Sequence, residues 1–404
     1  MPNPAEIAQL EVAGVQFEDW ETVWVQHRWM DGWPLFRFTA AELADLPKLW
    51  TSLQFKPGDP CTITLGGQLA MTGIILKRQT AYDATSHIVE LSGAGKQWGA
   101  STSSIPTKIN NFDNMPMMPI AQKLMGFYGI KALPVGTVDA TPFDRMQANP
   151  GELVFDFLDR LARQRGAHLG TDQFGNFLII GEHSAPIVQQ LIEGQNIKKM
   201  QCIILNENMA NVYSVLGQKA ATDGDSGKDA SEMQAQAQGS LKGVFKFLET
   251  VIEQPVKSMA EVQMRASYEA IAREGTQINA TVTVQGWLRD GTNLWRPGDN
   301  VLVFSPMAML NLVLKINTAT FSQDDKGGTL TELELVLPWM LGDKVYDTLT
   351  GMGDINNQPM PPDAAKTTSD QPAAPPATNL PPITVTEPPG PSDPADVLGP
   401  GPYP

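Results

Sequence analysis

The 404-residue chain has few of the residues on which several classes of protein depend. Its only two cysteines, Cys61 and Cys202, are too few for a disulfide framework; they could pair, but two buried thiols are the simpler reading. No run of about 18 apolar residues occurs, so we expect no membrane-spanning helix and no membrane anchor. The opening MPNPAEIAQL lacks the basic start and apolar run of a signal peptide, so we expect synthesis in the cytoplasm and no export by that route.

Basic residues are also scarce. The chain has 29 Lys and Arg against 44 Asp and Glu, which gives a formal net charge of −15. A chain this acidic is not expected to bind nucleic-acid phosphates or anionic lipid surfaces in general. The hydrophobic fraction of 42% is ample for a packed core, and the length allows roughly two or three domains.

Motifs for catalysis and metal binding are missing as well. There is no Gly-x-Ser-x-Gly elbow and no phosphate-binding glycine loop. No histidine has a second ligand at helical spacing or a cysteine pair nearby, so no zinc site is expected; the four are His27, His87, His168 and His183. We therefore predict no catalytic, cofactor-binding or metal-binding residue and no cofactor, although a carboxylate pair of the glycosidase type stays open among 44 acids.

Tryptophans are concentrated near the start of the chain. Trp24, Trp29, Trp33 and Trp50 could form a platform for sugar binding. In a β-rich domain such residues more often lie in the core or at a subunit interface.

The pattern over residues 1–105 predicts a β-domain. Stretches such as QLEVAGVQF (9–17) and ETVWVQHRW (21–29) alternate apolar and polar residues, and Gly and Asp turns separate them. Many short strands at regular spacing favour a barrel or a sandwich.

Residues 106–186 predict a small α+β domain. Asn149 is a candidate N-cap, with Pro150 at the first helical position and Glu152 three residues after the cap. Gly166 is placed to end the helix, and a hairpin with Gly175-Asn176 in its turn follows. The predicted apolar stripe is Leu153, Val154, Phe157, Leu158, Leu161 and Ala162.

Residues 187–345 predict a second β-domain. A polar stretch within about 218–256 is predicted to be a mobile insertion. A helix should follow, ending at Gly275. We predict that one face of this helix carries Met259, Val262, Ala266 and Ile271.

The last segment, 346–404, predicts a disordered tail. Fifteen of the 32 prolines lie after Gly351, with six acids and one lysine. Proline removes backbone donors and the apolar content is low, so no core is expected to form. An extended, partly polyproline-II tail is predicted, serving as a solvated spacer or as a ligand for a partner's groove.

The two β-regions repeat one pattern. FKPGDPCTITL at 55–65 and WRPGDNVLVF at 295–304 both place a Pro-Gly-Asp turn before an alternating strand. GIILKRQTAYD (73–83) and NLVLKINTATF (311–321) then follow, each with a Leu-Lys pair. The ordered match predicts duplication of one β-barrel module, with chance similarity as the alternative. Three copies of such a chain would present six similar barrels, which matches a six-fold partner to a three-fold one.

These stretches resemble baseplate hub proteins of contractile-tailed phages. VAGVQFEDWETVWVQHRW (12–29), the helix and hairpin of 149–180 and WRPGDNVLVFSP (295–306) are similar to the Mu-like tail hub and late control gene D families. The hub part of type VI secretion spike proteins shares the module. The resemblance covers about residues 5–345. It includes neither a spike-forming β-helix nor the Pro-rich tail.

The resemblance implies a fold and a set of partners. The expected fold is a β-rich α+β protein with two similar, tail-tube-like β-barrel domains separated by the small domain. The expected assembly is a homotrimer in the virion tail baseplate, between a hexameric tail tube or distal tail protein and a separate trimeric spike, beside other baseplate proteins. Such a hub is a non-enzymatic structural protein through which DNA passes without specific binding. Three alternatives stay open: a tail-associated peptidoglycan hydrolase, a carbohydrate-binding receptor protein and the hub of a non-phage contractile injection system.

Overall fold

The described part of the chain is rich in β-strands and has few helices, which agrees with the predicted β-rich α+β class. The computed structural model describes residues 4–30, 32–41, 53–83, 87–218, 233–252, 256 and 258–343. The predicted tail, 346–404, and Trp50 lie outside the described residues. No helix among the described residues is long and apolar enough to cross a membrane.

The first half, residues 8–95, contains seven strands among its described residues. They are β1 (Ala8–Val12), β2 (Val15–Phe17), β3 (Thr22–Arg28), β4 (Leu35–Ala41), β5 (Pro60–Leu65), β6 (Gln68–Tyr82) and β7 (His87–Gly95). The side chains alternate between buried and exposed along β3, β4 and β5 because one face of the sheet covers the core. The hydrogen-bonded order is β3-β4-β7-β6-β5-β1-β2, and all of these pairs are antiparallel.

The middle segment, residues 98–180, packs three helices against short strands. Its helices are α1 (Trp98–Ser101), α2 (Met117–Phe127) and α3 (Val154–Gln164). Its strands are β8 (Asn111–Met115), β9 (Ala132–Val135), β10 (Phe143–Gln147), β11 (His168–Thr171) and β12 (Phe177–Ile180). The helices bury a separate core around Phe112, Leu124, Phe157 and Leu161.

The helix α3 begins later than the sequence predicted. Residues 149–152 form a turn, in which Gly151 has φ +81° and the Glu152 carboxylate accepts from the backbone N–H of Asn149 at 2.7 Å. Glu152 Oε2 also lies 3.0 Å from Arg160 Nη2. The glutamate therefore stabilises the turn before the helix and does not cap the first turn of the helix. The end at Gly166, with φ +60°, and the hairpin turn before β12 agree with the prediction.

The second half, residues 187–336, contains the remaining strands and one long helix. The strands are β13 (Ile187–Ile192), β14 (Lys199–Ile204), β15 (Val212–Gly217), β16 (Met233–Gln238), β17 (Phe247–Val251), β18 (Ile278–Gln285), β19 (Asn300–Ser305), β20 (Leu310–Asp324) and β21 (Gly328–Val336). The helix is α4 (Met259–Gly275). Strands β16 and β17, which lie in the segment predicted to be an insertion, flank β15 in a small sheet covered by α4. Residues 219–232 of that segment lie outside the described residues.

The apolar face predicted for α4 is only half correct. Val262 and Ala266 are buried against the small sheet, as expected. Met259 and Ile271 are exposed, because the buried face continues through Ala270 to Gly275 instead.

The two halves repeat one arrangement of six strands. In the second half the order β14-β18-β21-β20-β19-β13 corresponds to β3-β4-β7-β6-β5-β1 in the first. The three strands after each Pro-Gly-Asp turn have equal lengths of 6, 15 and 9 residues. One difference is that β13 runs parallel to β19, whereas β1 runs antiparallel to β5.

A direct strand pairing joins the halves into one sheet. Strand β3 of the first half pairs with β20 of the second, so 13 strands are connected by hydrogen bonds. Buried side chains from both halves, among them Leu10, Phe38, Trp287 and Leu335, form one continuous core.

Candidate functional site: the joint between the two halves

The joint is an antiparallel ladder of six residue pairs. It runs from Thr318 opposite Arg28 to Gln323 opposite Val23. Val25 and Phe321 face each other on the buried side of the sheet. On the other side Gln26 Nε2 donates to Thr320 Oγ1 at 3.1 Å. The first and second halves therefore meet as neighbouring strands of one sheet, with no loop between them.

The two Pro-Gly-Asp turns share the same pair of backbone hydrogen bonds with the long strand that follows. Gly58 N donates to Ile75 O at 2.8 Å, and Gly298 N donates to Ile316 O at 2.8 Å. Ile75 N and Ile316 N donate back to the carbonyls of the two aspartates at 3.0 and 2.9 Å. The glycines have φ +99° and +91°, which is the left-handed region that glycine tolerates.

This geometry corrects the sequence match between the long strands. Because Ile75 and Ile316 are equivalent, Lys77 corresponds to Thr318 and not to Lys315. A bulge follows each isoleucine, between Ile75 and Lys77 and between Ile316 and Thr318. The sequence match, which aligned Lys77 with Lys315, was therefore wrong by three residues. Consistent with this, Lys77 is exposed and Lys315 is fully buried.

The second turn also contacts the first half. A Cβ added at Gly298 would lie 2.5 Å from the Trp29 ring. Trp29 Nε1 donates to Leu341 O at 3.3 Å, and Arg296 Nη2 donates to Leu69 O at 3.3 Å. The turn thus fixes the end of the joint as well as the start of β19.

Behind the turn lies a buried charged network. Lys315 Nζ lies 2.8 Å from Asp343 Oδ1, and both side chains are 0% exposed. His183 Nε2 lies 2.8 Å from the same oxygen, and Asn300 Nδ2 donates to Asp343 Oδ2 at 2.7 Å. Lys315 Nζ also donates to Gly298 O at 2.8 Å. The network connects β19, β20, the stretch that follows β12 and the last described residue.

The pKa values in this network follow from burial and pairing. Burial lowers the pKa of Lys315, against the opposing effect of its hydrogen bond and ion pair with Asp343. Burial alone would raise the pKa of Asp343, but hydrogen bonds from His183, Lys315 and Asn300 outweigh it and hold that pKa below its ordinary value. Asp343 is therefore ionised at neutral pH and serves as the central acceptor.

Buried side chains also connect the middle segment to both halves. His27 Nε2 on β3 donates to Thr171 O on β11 at 3.2 Å, and burial lowers the pKa of His27 to about 4. Arg165 Nη1, just after α3, donates to Glu261 Oε1 on α4 at 2.9 Å. Its guanidinium stacks over the Phe143 ring at 4.1 Å from the centroid.

A cavity of about 690 Å³ lies beside the joint. His27, Trp29, Asp172 and Asp299 are among the residues that line it. Asp172 is engaged by the backbone N–H groups of its own turn, and Asp299 pairs with Arg289. Across the described residues, no group of three or more His, Cys, Asp or Glu side chains is arranged to hold a metal ion.

The three early tryptophans within the described residues have different neighbours. Trp24 is half-buried on the joint, and Trp29 packs on the second turn. Trp33 meets Phe155 of α3 edge-on at 6.4 Å. Both cysteines are free; Cys61 is buried, whereas Cys202 is half-buried on the edge strand β14.

Sequence reasoning missed the charged network. The one available signal was a lysine in the largely apolar run LNLVLKI (310–316), which the sequence pattern assigns to a strand. Its partners, His183 and Asp343, lie 132 and 28 residues away in sequence, and nothing in their local patterns marks them.

Comparison with known proteins gives two family matches. Residues 7–95 match the family described as Mu phage baseplate assembly protein GpP-like, N-terminal. Residues 102–181 match baseplate hub protein gp44-like, second domain.

Individual relatives point the same way. The chain is 23% identical over 295 residues to baseplate hub protein gp44 of Escherichia phage Mu, covering 69% of this chain and 75% of that protein. The 43 kDa tail protein of prophage MuSo2 from Shewanella oneidensis has 25% identity and a TM-score of 0.72, covering 83% of this chain and 100% of that one. An E. coli type VI secretion component, described as structurally similar to T4 bacteriophage tail proteins, shares the fold at a TM-score of 0.50 and 12% identity, covering 81% of this chain and 76% of that one.

These matches agree with a chain of duplicated β-halves, and they support the class of phage tail baseplate hubs. The particular resemblance is to Mu-like baseplate hub proteins, and this prediction is confirmed. The predicted location, the virion tail baseplate, is supported by the same relatives.

Proposed function

We propose that the chain is the structural hub of a phage tail baseplate, working as a homotrimer. Three copies form a ring with pseudo-six-fold symmetry. The ring joins a hexameric tail tube to a separate trimeric spike, and DNA passes through it during ejection.

The observation that carries the proposal is the repeated six-strand arrangement within one chain. Two equivalent halves in each of three chains offer six similar units to a six-fold partner. Three identical chains still offer three-fold symmetry to a spike. The duplication therefore supplies a structural means to match both symmetries.

The proposal includes a division into domains. Residues 1–105 and 187–345 form the two hub domains, each closing into a tail-tube-like barrel in the ring, and residues 106–186 form the small domain between them. The segment around 218–256 is an insertion in the second hub domain, and the predicted tail, 346–404, lies outside the described residues. The equal strand lengths and matching turns of the two halves support this division.

The role is mechanical and not enzymatic. The relatives are phage tail and baseplate proteins, and two charged pairs near the joint, Arg289 with Asp299 and Lys315 with Asp343, bind each other. The net charge of −15 supports a lumen that repels DNA and lets it slide. A ring with a basic lumen would contradict this step.

Electron microscopy of the purified full chain tests the proposal. We expect rings of six similar lobes whose averages keep three-fold and not six-fold symmetry. Particles without a central opening, or open chains of subunits, would contradict it.

A further inference from the structure

Among the strand edges that stay open within the described residues, two correspond to the two strands of the joint. Strand β14 is the last strand on its side of the sheet and pairs only with β18. Strand β6 pairs with β5 only over residues 68–74, so residues 77–82 have no described strand on the side away from β7. An open edge carries unpaired backbone donors and acceptors that another strand can bind.

The pairing of β3 with β20 inside the chain indicates which strand each of the two open edges can pair with. Strand β3 occupies the same place in the first half that β14 occupies in the second. The later part of β20, which pairs with β3, occupies the same place as residues 77–82 of β6. Within the chain, β3 and β20 pair with each other. The corresponding strands, β14 and residues 77–82 of β6, do not pair with each other in the same chain.

Residue equivalences follow from the pairing register. In the first half, Ile75, Gly93, Phe36 and Val25 lie in line across four strands. In the second half, the corresponding line is Ile316, Leu335, Ala280 and Cys202.

Cys202 is therefore the counterpart of Val25. Val25 pairs with Phe321, which lies five residues after Ile316. The residue five after Ile75 is Thr80.

We propose that β14 of one chain pairs antiparallel with residues 77–82 of β6 in a second copy, with Cys202 opposite Thr80. The same register sets Ile204 opposite Arg78 and Met200 opposite Tyr82. The inference rests on the proposed trimer and supplies its contact: three such joints alternate with the three intrachain joints and close the ring.

Exposed apolar side chains lie along both edges, as this contact requires. Tyr82 is 80% exposed, and Ile203 and Ile204 are 48% and 44% exposed. Met200 and Cys202 are only partly covered by the core, whereas Val23 and Val25 of β3 are buried. Pairing with a second copy would cover these side chains as the intrachain joint covers theirs.

The native Cys202 makes the register testable by a single substitution in the full chain. Directly opposed residues in an antiparallel pair have Cα atoms about 4.5–5.5 Å apart, within the range of a disulfide. We expect Thr80→Cys, after mild oxidation, to give covalent dimers and trimers on a denaturing, non-reducing gel. Gln79→Cys, whose side chain points to the other face, should give about ten-fold less product. Adding Cys202→Ser to Thr80→Cys should remove the product.

A second variant tests the edge without disulfide chemistry. Leu205 N donates to Gln277 O, just before β18, so by alternation the N–H of Ile204 points to the open edge. Ile204→Pro removes that donor without removing a bond to β18 and should prevent trimer formation, whereas Ile204→Val should preserve it. The oligomeric mass of each variant is measured by light scattering.

The outcomes separate this contact from the trimer itself. A trimer that lacks the Thr80–Cys202 cross-link and survives Ile204→Pro would overturn the strand pairing and leave the proposed hub standing. Two results would overturn the register but not the strand pairing. One is loss of the trimer in Ile204→Pro while Thr80→Cys fails to cross-link, and the other is cross-linking of Gln79→Cys as strong as that of Thr80→Cys. A wild-type chain that stays monomeric at all concentrations would overturn both proposals.

Discussion

Replacing Lys315 by methionine tests the buried network at the joint. The substitution keeps the length of the side chain and leaves Asp343 buried beside His183 and Asn300 without its main cation. Removing one partner of a fully buried ion pair typically costs about 3–5 kcal/mol of unfolding free energy. We expect a loss of that size.

Lys77 supplies the matched control. It lies 3.4 Å from Glu90, but the two side chains are 55% and 26% exposed. Exposed pairs contribute about 0–1 kcal/mol, so Lys77→Met should change stability little. The double variant Lys315→Met/Asp343→Leu should recover much of the loss, because it removes both buried charges.

Chemical denaturation of the full chain, at one fixed protein concentration, measures these differences. A Lys315→Met variant no less stable than Lys77→Met would refute the reasoning, since it would mean that the burial seen for Lys315 is not kept in solution. A double variant less stable than either single variant would show that the network contributes net stability.

Two further predictions concern acid and the turns. Burial lowers the pKa of both His27 and His168 to about 4 from 6.5. The unfolded chain therefore takes up protons first on acidification, and stability should hold above pH 6.5 and fall between 6.5 and 4, by at most about 3 kcal/mol for each histidine. The melting temperature, measured against pH, should fall less steeply between pH 6.5 and 4 for the double variant His27→Gln/His168→Gln than for the wild type. The same fall in both proteins would exclude the two histidines as the cause. Gly58→Ala and Gly298→Ala both place alanine at positive φ, at a cost of about 1–2 kcal/mol. Only the second also clashes with Trp29, so equal melting temperatures for the two variants would argue against that contact.

The repeated turns made the duplicated architecture predictable from sequence. Pro-Gly-Asp fixes a local conformation that requires positive φ, and the period-two pattern after it marks a strand. These signals are local, so they located the equal strands at 60–65 and 300–305. They could not give the register of the long strands, because one bulged residue shifts the pairing, and the Leu-Lys match was therefore misaligned.

Local sequence patterns could not predict the contacts at the joint. Trp29, Gly298 and Lys315 meet only after chain segments hundreds of residues apart have paired. The start of α3 was predicted wrongly for a different reason. Glu152 satisfies the signature of a capping box, but it binds the turn before the helix. A side chain with two possible backbone partners leaves the helix boundary undetermined by sequence.

The native mass of the full chain, measured over a range of concentrations, tests the central claim most directly. The account predicts a species of three times the 43.9 kDa chain that persists on dilution, because each subunit contributes one open β14 edge and one open β6 edge. A stable monomer, a dimer or an open-ended series of masses would contradict a closed three-fold hub.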